Sequence, residues 1–154
     1  MSKRVLFVCL GNICRSPTGE AVLRQVAAAQ NAELAIDSAG TIGAHAGEPA
    51  DARMRQAASR RGYQLDSLAR QVTRQDLRDH DLVIAMDRQN YNDLLNLAGG
   101  AGDRICMLSD FLDDLQDWPQ DVPDPYYGGS DGFEYVLDMI EAACPQIINR
   151  LSRD

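Results

Sequence analysis

Long apolar runs are missing from this 154-residue chain. No stretch approaches the ~20 residues that a membrane-spanning helix needs. The apolar run nearest the N-terminus, Val5 to Leu10, stops at Gly11, with no small-residue cleavage site behind it. It therefore reads as a buried strand, not a signal sequence. Histidine is scarce too: His45 and His80 are the only two, and neither stands at ligand spacing from a cysteine pair. That disfavours a zinc centre, and no other metal or cofactor is expected. Four cysteines (Cys9, Cys14, Cys106, Cys144) without a secretion signal point to a reducing, cytoplasmic setting, not a disulfide framework. Internal repeats and low-complexity segments are absent, and the length suits one domain spanning 1–154.

Basic residues are in deficit, 15 Lys and Arg against 23 Asp and Glu, for a net charge of −8. That balance argues against nucleic acid or an anionic membrane as partner. It does not exclude an anionic substrate, because the charge is unevenly placed. Residues 4–19 hold Arg4 and Arg15 and no acid, whereas acids crowd between Asp110 and Asp138.

What is present alternates between strand and helix signals. Val5 to Val8 is a short, largely β-branched run suited to a central parallel strand. Ser16 and Pro17 read as N-cap and first position of a helix running to about Asn31. Leu34 to Ile36 reads as a second strand, ending at Asp37-Ser38-Ala39-Gly40. Further helices are expected at Ala50–Arg61, Thr73–Arg78 and Asn90–Leu97, and strands at Asp81–Met86 and Arg104–Leu108. Residues 113–132 form a long loop rich in Asp, Pro and Gly, a length that usually signals function. An amphipathic helix from about Phe133 to Leu151 closes the chain, with a kink or break expected at Pro145. The pattern predicts an α/β domain, a parallel sheet with helices on both faces. In such sheets the ligand site lies beyond the strand carboxyl ends, where Cys9, Ser38 and Asp87 fall.

Chemistry concentrates in Cys9-Leu10-Gly11-Asn12-Ile13-Cys14-Arg15-Ser16. A strand delivers a thiol, and a short loop opens a helix whose first N–H groups and dipole attract a tetrahedral anion. Arg15 adds a planar fork for two phosphate oxygens and, with the dipole, favours the thiolate as nucleophile. Gly11 is expected to take an unusual backbone angle, and Asn12 to tolerate a left-handed one. Ser16 can bond the thiolate. Transfer of a phosphoryl group to Cys9 leaves an oxygen to be protonated, so an acid is needed. Asp124, in the long loop and fixed in direction by Pro125, is the leading choice, with Asp121 and Asp131 as alternatives that spacing does not exclude.

Taken together, Val8 to Pro17, Asp37 to Thr41, Ala69-Arg70-Gln71, Met86-Asp87 and Asp124-Pro125-Tyr126-Tyr127 resemble the low-molecular-weight protein tyrosine phosphatases over essentially the whole chain. The resemblance implies a flavodoxin-like, doubly wound, four-stranded parallel sheet. It implies Cys9 as nucleophile, Arg15 as phosphate ligand and Asp124 as general acid, and backbone from Leu10, Gly11, Asn12, Ile13, Cys14 and Arg15 around the phosphate. Asn12, Ser16 and Ser38 would support the loop. Ile13, Ala44, His45, Tyr126 and Tyr127 would wall the pocket, His45 reading otherwise as a solvated loop residue. Cys14 would form a reversible disulfide with Cys9. Two positions depart from the family: Ser67 stands where a loop-supporting histidine is usual, and Ala44 where an aromatic often lies.

The implied reaction is hydrolysis of phosphotyrosine and small aryl phosphates through a cysteinyl-phosphate. The implied partners are tyrosine-phosphorylated proteins, among them a bacterial tyrosine kinase, and the implied state is monomer or weak dimer. Two rivals share such a loop. A thioredoxin-coupled arsenate reductase needs a close relay of further cysteines, and Cys106 and Cys144 stand far apart in sequence. A phosphocysteine carrier of sugar phosphotransfer needs no acid at the leaving group.

Overall fold

The computed structural model describes residues 2–100, 102–113, 117–127 and 129–153, with Tyr127 and Ser130 described through their backbone alone. Strand β1 (Lys3–Cys9) lies inside a four-stranded parallel sheet of order β2-β1-β3-β4. Its partners are β2 (Leu34–Gly40) and β3 (Leu82–Ala85), with β4 (Ile105–Met107) outside β3. The register sets Cys9 opposite Gly40 and Val8 opposite Ala85, so the thiol ends the strand at the carboxyl edge.

Strand alternation sends successive side chains of β1 to opposite faces. Val5 and Phe7 join one core with residues of α1 (Arg15–Ala29) and α5 (Ser130–Ser152). Leu6 and Val8 join another with Leu77 of α3 (Arg74–Asp79) and Leu94 of α4 (Arg88–Ala98). Phe7 is fully buried, and a side chain of this size contributes about 1.5–3 kcal/mol. Gly19 lets α1 approach that ring, since a Cβ there would fall 2.6 Å from the Phe7 ring. Helix α2 (Ala52–Arg60) packs on α5, where Arg61 meets Glu134, Asp138 and Glu141.

The helix starts follow their caps. Asp51 accepts from the Arg53 and Met54 amides at 2.9 and 3.3 Å. Thr73 with Asp76, and Asp87 with Asn90, form reciprocal capping boxes. Gly99, at φ 67°, ends α4 in the left-handed region that glycine supplies.

Three expectations need correction. Ser16 is not the N-cap of α1; Cys14 is, with no side-chain cap bond, and Ser16 sits in the first turn facing the thiol. Gly11 does not adopt a positive φ. A Cβ there would lie 3.0 Å from His45 Cδ2, a tight contact that the part-exposed imidazole would have to move to relieve. The break expected at Pro145 does not occur, since one helix continues from Ser130 to Ser152. Proline removes one N–H, but buried Ile140, Cys144, Ile147 and Ile148 pin both sides of it into the same core.

Candidate active site

The turn from β1 into α1 folds around Asn12, whose φ of 58° reverses the chain. Its side chain ties the loop together. Oδ1 accepts the Arg70 amide at 3.0 Å, which fixes the orientation of the carboxamide and makes Nδ2 the donor elsewhere. Nδ2 then donates to Ser16 Oγ at 2.7 Å and to Ser38 Oγ at 3.0 Å. With both hydroxyls accepting, each has its own proton to give. Ser38 gives its proton to Oε1 of the buried Glu20 at 2.6 Å. Ser16 Oγ lies 3.0 Å from Cys9 Sγ and 3.3 Å from the Ala39 carbonyl, and the Ser16 amide points at the sulfur from 3.4 Å. The Ser16 amide therefore donates to Cys9, and the Ser16 hydroxyl lies between the sulfur and the Ala39 carbonyl.

Arg15 is buried to 2% exposure and spans the cleft. Nη1 donates to Asp87 Oδ2 at 2.7 Å and to the Val122 carbonyl at 2.9 Å, while Nη2 lies 3.7 Å from Asp124 Oδ2. Burial alone would lower the arginine's proton affinity, but Cys9 and Asp87 outweigh it and hold the guanidinium charged. Asp87 divides its oxygens: Oδ1 caps α4 by accepting the Asn90 amide at 2.8 Å, and Oδ2 takes Arg15.

Among the three acids weighed for proton transfer, position separates them. Asp121 Oδ1 accepts the Arg88 amide at 2.9 Å at the start of α4, and Asp131 lies in the first turn of α5. Asp124 reaches the cleft, with Oδ1 accepting the Tyr126 amide at 3.0 Å and Oδ2 toward Arg15. A cavity of about 250 Å³ is lined by Cys9, Leu10, Gly11, Ile13, Cys14, Arg15, Ile42, Ala44, His45, Asp124 and Tyr126. The His45 and Tyr126 rings face across it with centroids 6.4 Å apart, and His45 Nδ1 lies 3.3 Å from Glu48. The Tyr127 side chain lies outside the described residues. Asn12 bonds both Ser16 and Ser38, which brings together the three residues that the resemblance places in support of the loop.

Sequence reasoning missed Glu20, Ile42 and the Val122 carbonyl. Glu20 had a local signal: it lies one turn beyond Ser16, on the same helix face, where an acid is costly to bury without purpose. Ile42 and Val122 had none, since their places depend on how distant loops fold back. Cys14 is a free, buried thiol, and burial, joined by Asp51 and Cys9, pushes its proton affinity well up. Among the described residues no group of His, Cys, Asp and Glu is arranged to hold a metal ion, and no helix is long and apolar enough to cross a membrane.

Residues 4–154 match the family model described as low molecular weight phosphotyrosine protein phosphatase. The low molecular weight protein-tyrosine-phosphatase YfkJ of Bacillus subtilis is 43% identical, covering 97% of this chain and 96% of that protein. The human low molecular weight phosphotyrosine protein phosphatase is 36% identical, covering 97% and 96%. A crystal structure of the protein tyrosine phosphatase of Entamoeba histolytica, with Hepes in its active site, superposes with a TM-score of 0.92 at 42% identity, covering 99% and 98%. By sequence along nearly its whole length, and by fold, the chain belongs to the low molecular weight phosphotyrosine protein phosphatase family.

Proposed function

We propose that this protein hydrolyses phosphotyrosine in proteins, and small aryl phosphates, through a cysteinyl-phosphate on Cys9. The observation that carries the reading is the convergence on one cleft of a thiol held against the Ser16 amide and hydroxyl, a buried arginine and a loop carboxylate. Cys9 attacks phosphorus in line with the departing phenol. Loop amides from Leu10 to Arg15 and the Arg15 guanidinium take up the charge on the equatorial oxygens. Asp124 protonates the phenol oxygen, then draws a proton from the water that cleaves the thiophosphate. No step calls on a metal.

The pocket walls set what enters. Ile13, Ile42, His45 and Tyr126 flank the ring position, and Ala44 leaves that side lower than an aromatic would. Cys14 is the reading's redox partner: peroxide oxidises Cys9 to the sulfenic acid, and Cys14 sulfur displaces hydroxide to close the disulfide. The partners are tyrosine-phosphorylated proteins, a bacterial tyrosine kinase among them, in a reducing cytoplasm.

The test is hydrolysis of a phosphotyrosine peptide by the wild type and by Cys9→Ser and Asp124→Ala variants, beside a thioredoxin-coupled arsenate assay. Turnover lost in Cys9→Ser with phosphate binding retained supports the reading. Activity on arsenate alone refutes it. The Asp124 assignment requires a loss of about a hundredfold or more on phenolic leaving groups, with far less on activated ones.

A further inference from the structure

Arg53, in the first turn of α2, is an exposed side chain held by several partners. Its Nε and Nη2 reach the two oxygens of Asp51 at 3.2 and 3.1 Å. Nη2 also donates to the Tyr126 carbonyl at 3.3 Å. Its guanidinium carbon lies 5.4 Å from the centre of the Tyr126 ring and 5.0 Å from that of Phe133. Asp51 in turn is fastened to the phosphate cradle, its amide donating to the Ile13 carbonyl at 2.8 Å. A continuous path thus runs from Ile13 through Asp51 and Arg53 to Tyr126, whose amide orients the Asp124 carboxylate.

We propose that Arg53 is a positioning residue for the proton donor: a clasp that fastens the Asp124-Pro125-Tyr126 turn to the phosphate cradle. The proposal rests on Asp124 being the general acid. Exposed ion pairs contribute little to stability, so the Asp51–Arg53 pair alone gives no reason for an arginine with so many contacts. Its planar fork is suited to what is seen, a bidentate carboxylate, a carbonyl and two ring faces. From inside the cleft, Arg15 holds the same segment at the Val122 carbonyl. Arg53 holds it from outside, at the residue after Pro125. A general acid works only within hydrogen-bond reach of the leaving oxygen, and small displacements are costly.

The experiment compares wild type, Arg53→Met, Arg53→Lys, Asp124→Ala and the Arg53→Met/Asp124→Ala double variant. Each hydrolyses phenyl phosphate and nitrophenyl phosphate, with kcat/KM as readout, since it reports the steps through phosphoryl transfer to Cys9. In Arg53→Met, kcat/KM should fall about tenfold on phenyl phosphate and less than about twofold on nitrophenyl phosphate. The double variant should be no slower than Asp124→Ala, because a clasp with nothing to position has no effect. Arg53→Lys, lacking the fork and flat face, should behave like Arg53→Met. Equal losses on both substrates, additive losses in the double variant, or full rescue by lysine would each overturn the clasp in favour of direct charge contact with substrate. A leaving-group-independent loss in Asp124→Ala would instead remove the acid assignment beneath it, and the clasp with it.

Discussion

Asn12 Nδ2 donates to Ser38 Oγ at 3.0 Å, joining the phosphate loop to β2 across 26 positions of sequence. Ser38 can accept this bond because its own proton is committed to Glu20, whose other oxygen pairs with Arg24 at 2.7 Å. The bonds thus diverge from Asn12 in two branches, one ending on the Glu20 carboxylate through Ser38 and the other on the Ser16 hydroxyl beside Cys9.

Replacing Glu20 with Met removes that acceptor. The orphaned Ser38 hydroxyl should cost about 1–3 kcal/mol of stability. The rate of Cys9 alkylation by iodoacetate at neutral pH should also fall several-fold. Glu20→Gln keeps an acceptor for Ser38 and should restore most of both. Lost stability with unchanged alkylation would reduce Glu20 to a packing role.

Asp87 serves a helix with one oxygen and an arginine with the other, and the two duties are separable. Asn is as good a cap as Asp, but its amide nitrogen cannot accept from Arg15, so Asp87→Asn should keep the cap while losing the partner that aims Arg15. Its kcat/KM should drop about tenfold, the scale on which misplaced catalytic groups act. Asp87→Ala should show the same kinetic loss and unfold with about 1 kcal/mol less stability. Thermal melts beside kinetics decide between them.

Acid should weaken the fold through Asp76. Burial would raise its carboxyl, but bonds from Arg70 and Thr73 prevail and hold it below the ordinary value. The unfolded chain then takes up the proton first, so the stabilisation is complete above about pH 4 and is lost as pH falls further. Melting temperature compared at about pH 7 and about pH 3 should fall less in Asp76→Asn than in the wild type. An equal fall in both would contradict the assignment.

At the alkaline end, burial and then the bond to Glu141 push the Tyr63 hydroxyl up to about 12. The folded state keeps this proton longer than the unfolded one, so its contribution is full below about pH 10 and fades toward the folded value. Tyrosinate absorbance should show a late-ionising group that Glu141→Gln brings down. Its absence from the wild-type titration would refute the contact.

The phosphate loop was legible because its parts are local: an apolar strand, a thiol, Asn12, Arg15 and Ser16 within one short stretch. The parallel sheet with helices on both faces followed from alternation of elements, and Asp87 could be seen at a strand end. That Asp87 holds Arg15 could not, because the pairing depends on β3 lying beside β1. Ser16 carried the usual signature of a cap, yet it sits inside the first turn with its hydroxyl between the thiol and the Ala39 carbonyl. Arg53 looked like one more exposed arginine of α2, since the turn it grips is more than seventy positions distant. Helix ends moved by a residue or two wherever capping carboxylates, not periodicity, set them.

Gly40 faces Cys9 across the sheet, and a Cβ on it would come within 2.8 Å of the Leu10 carbonyl and 3.1 Å of the Asn12 amide. The cradle thus rests on bare main chain, with no side chain between to yield. A seat of that kind is inelastic. An oxyanion larger than phosphate should then ride higher, farther from the sulfur, because the loop has no room to draw back toward Gly40. Discrimination among tetrahedral ions should then turn on reach as well as charge, a limit that the contact of two backbones helps to set.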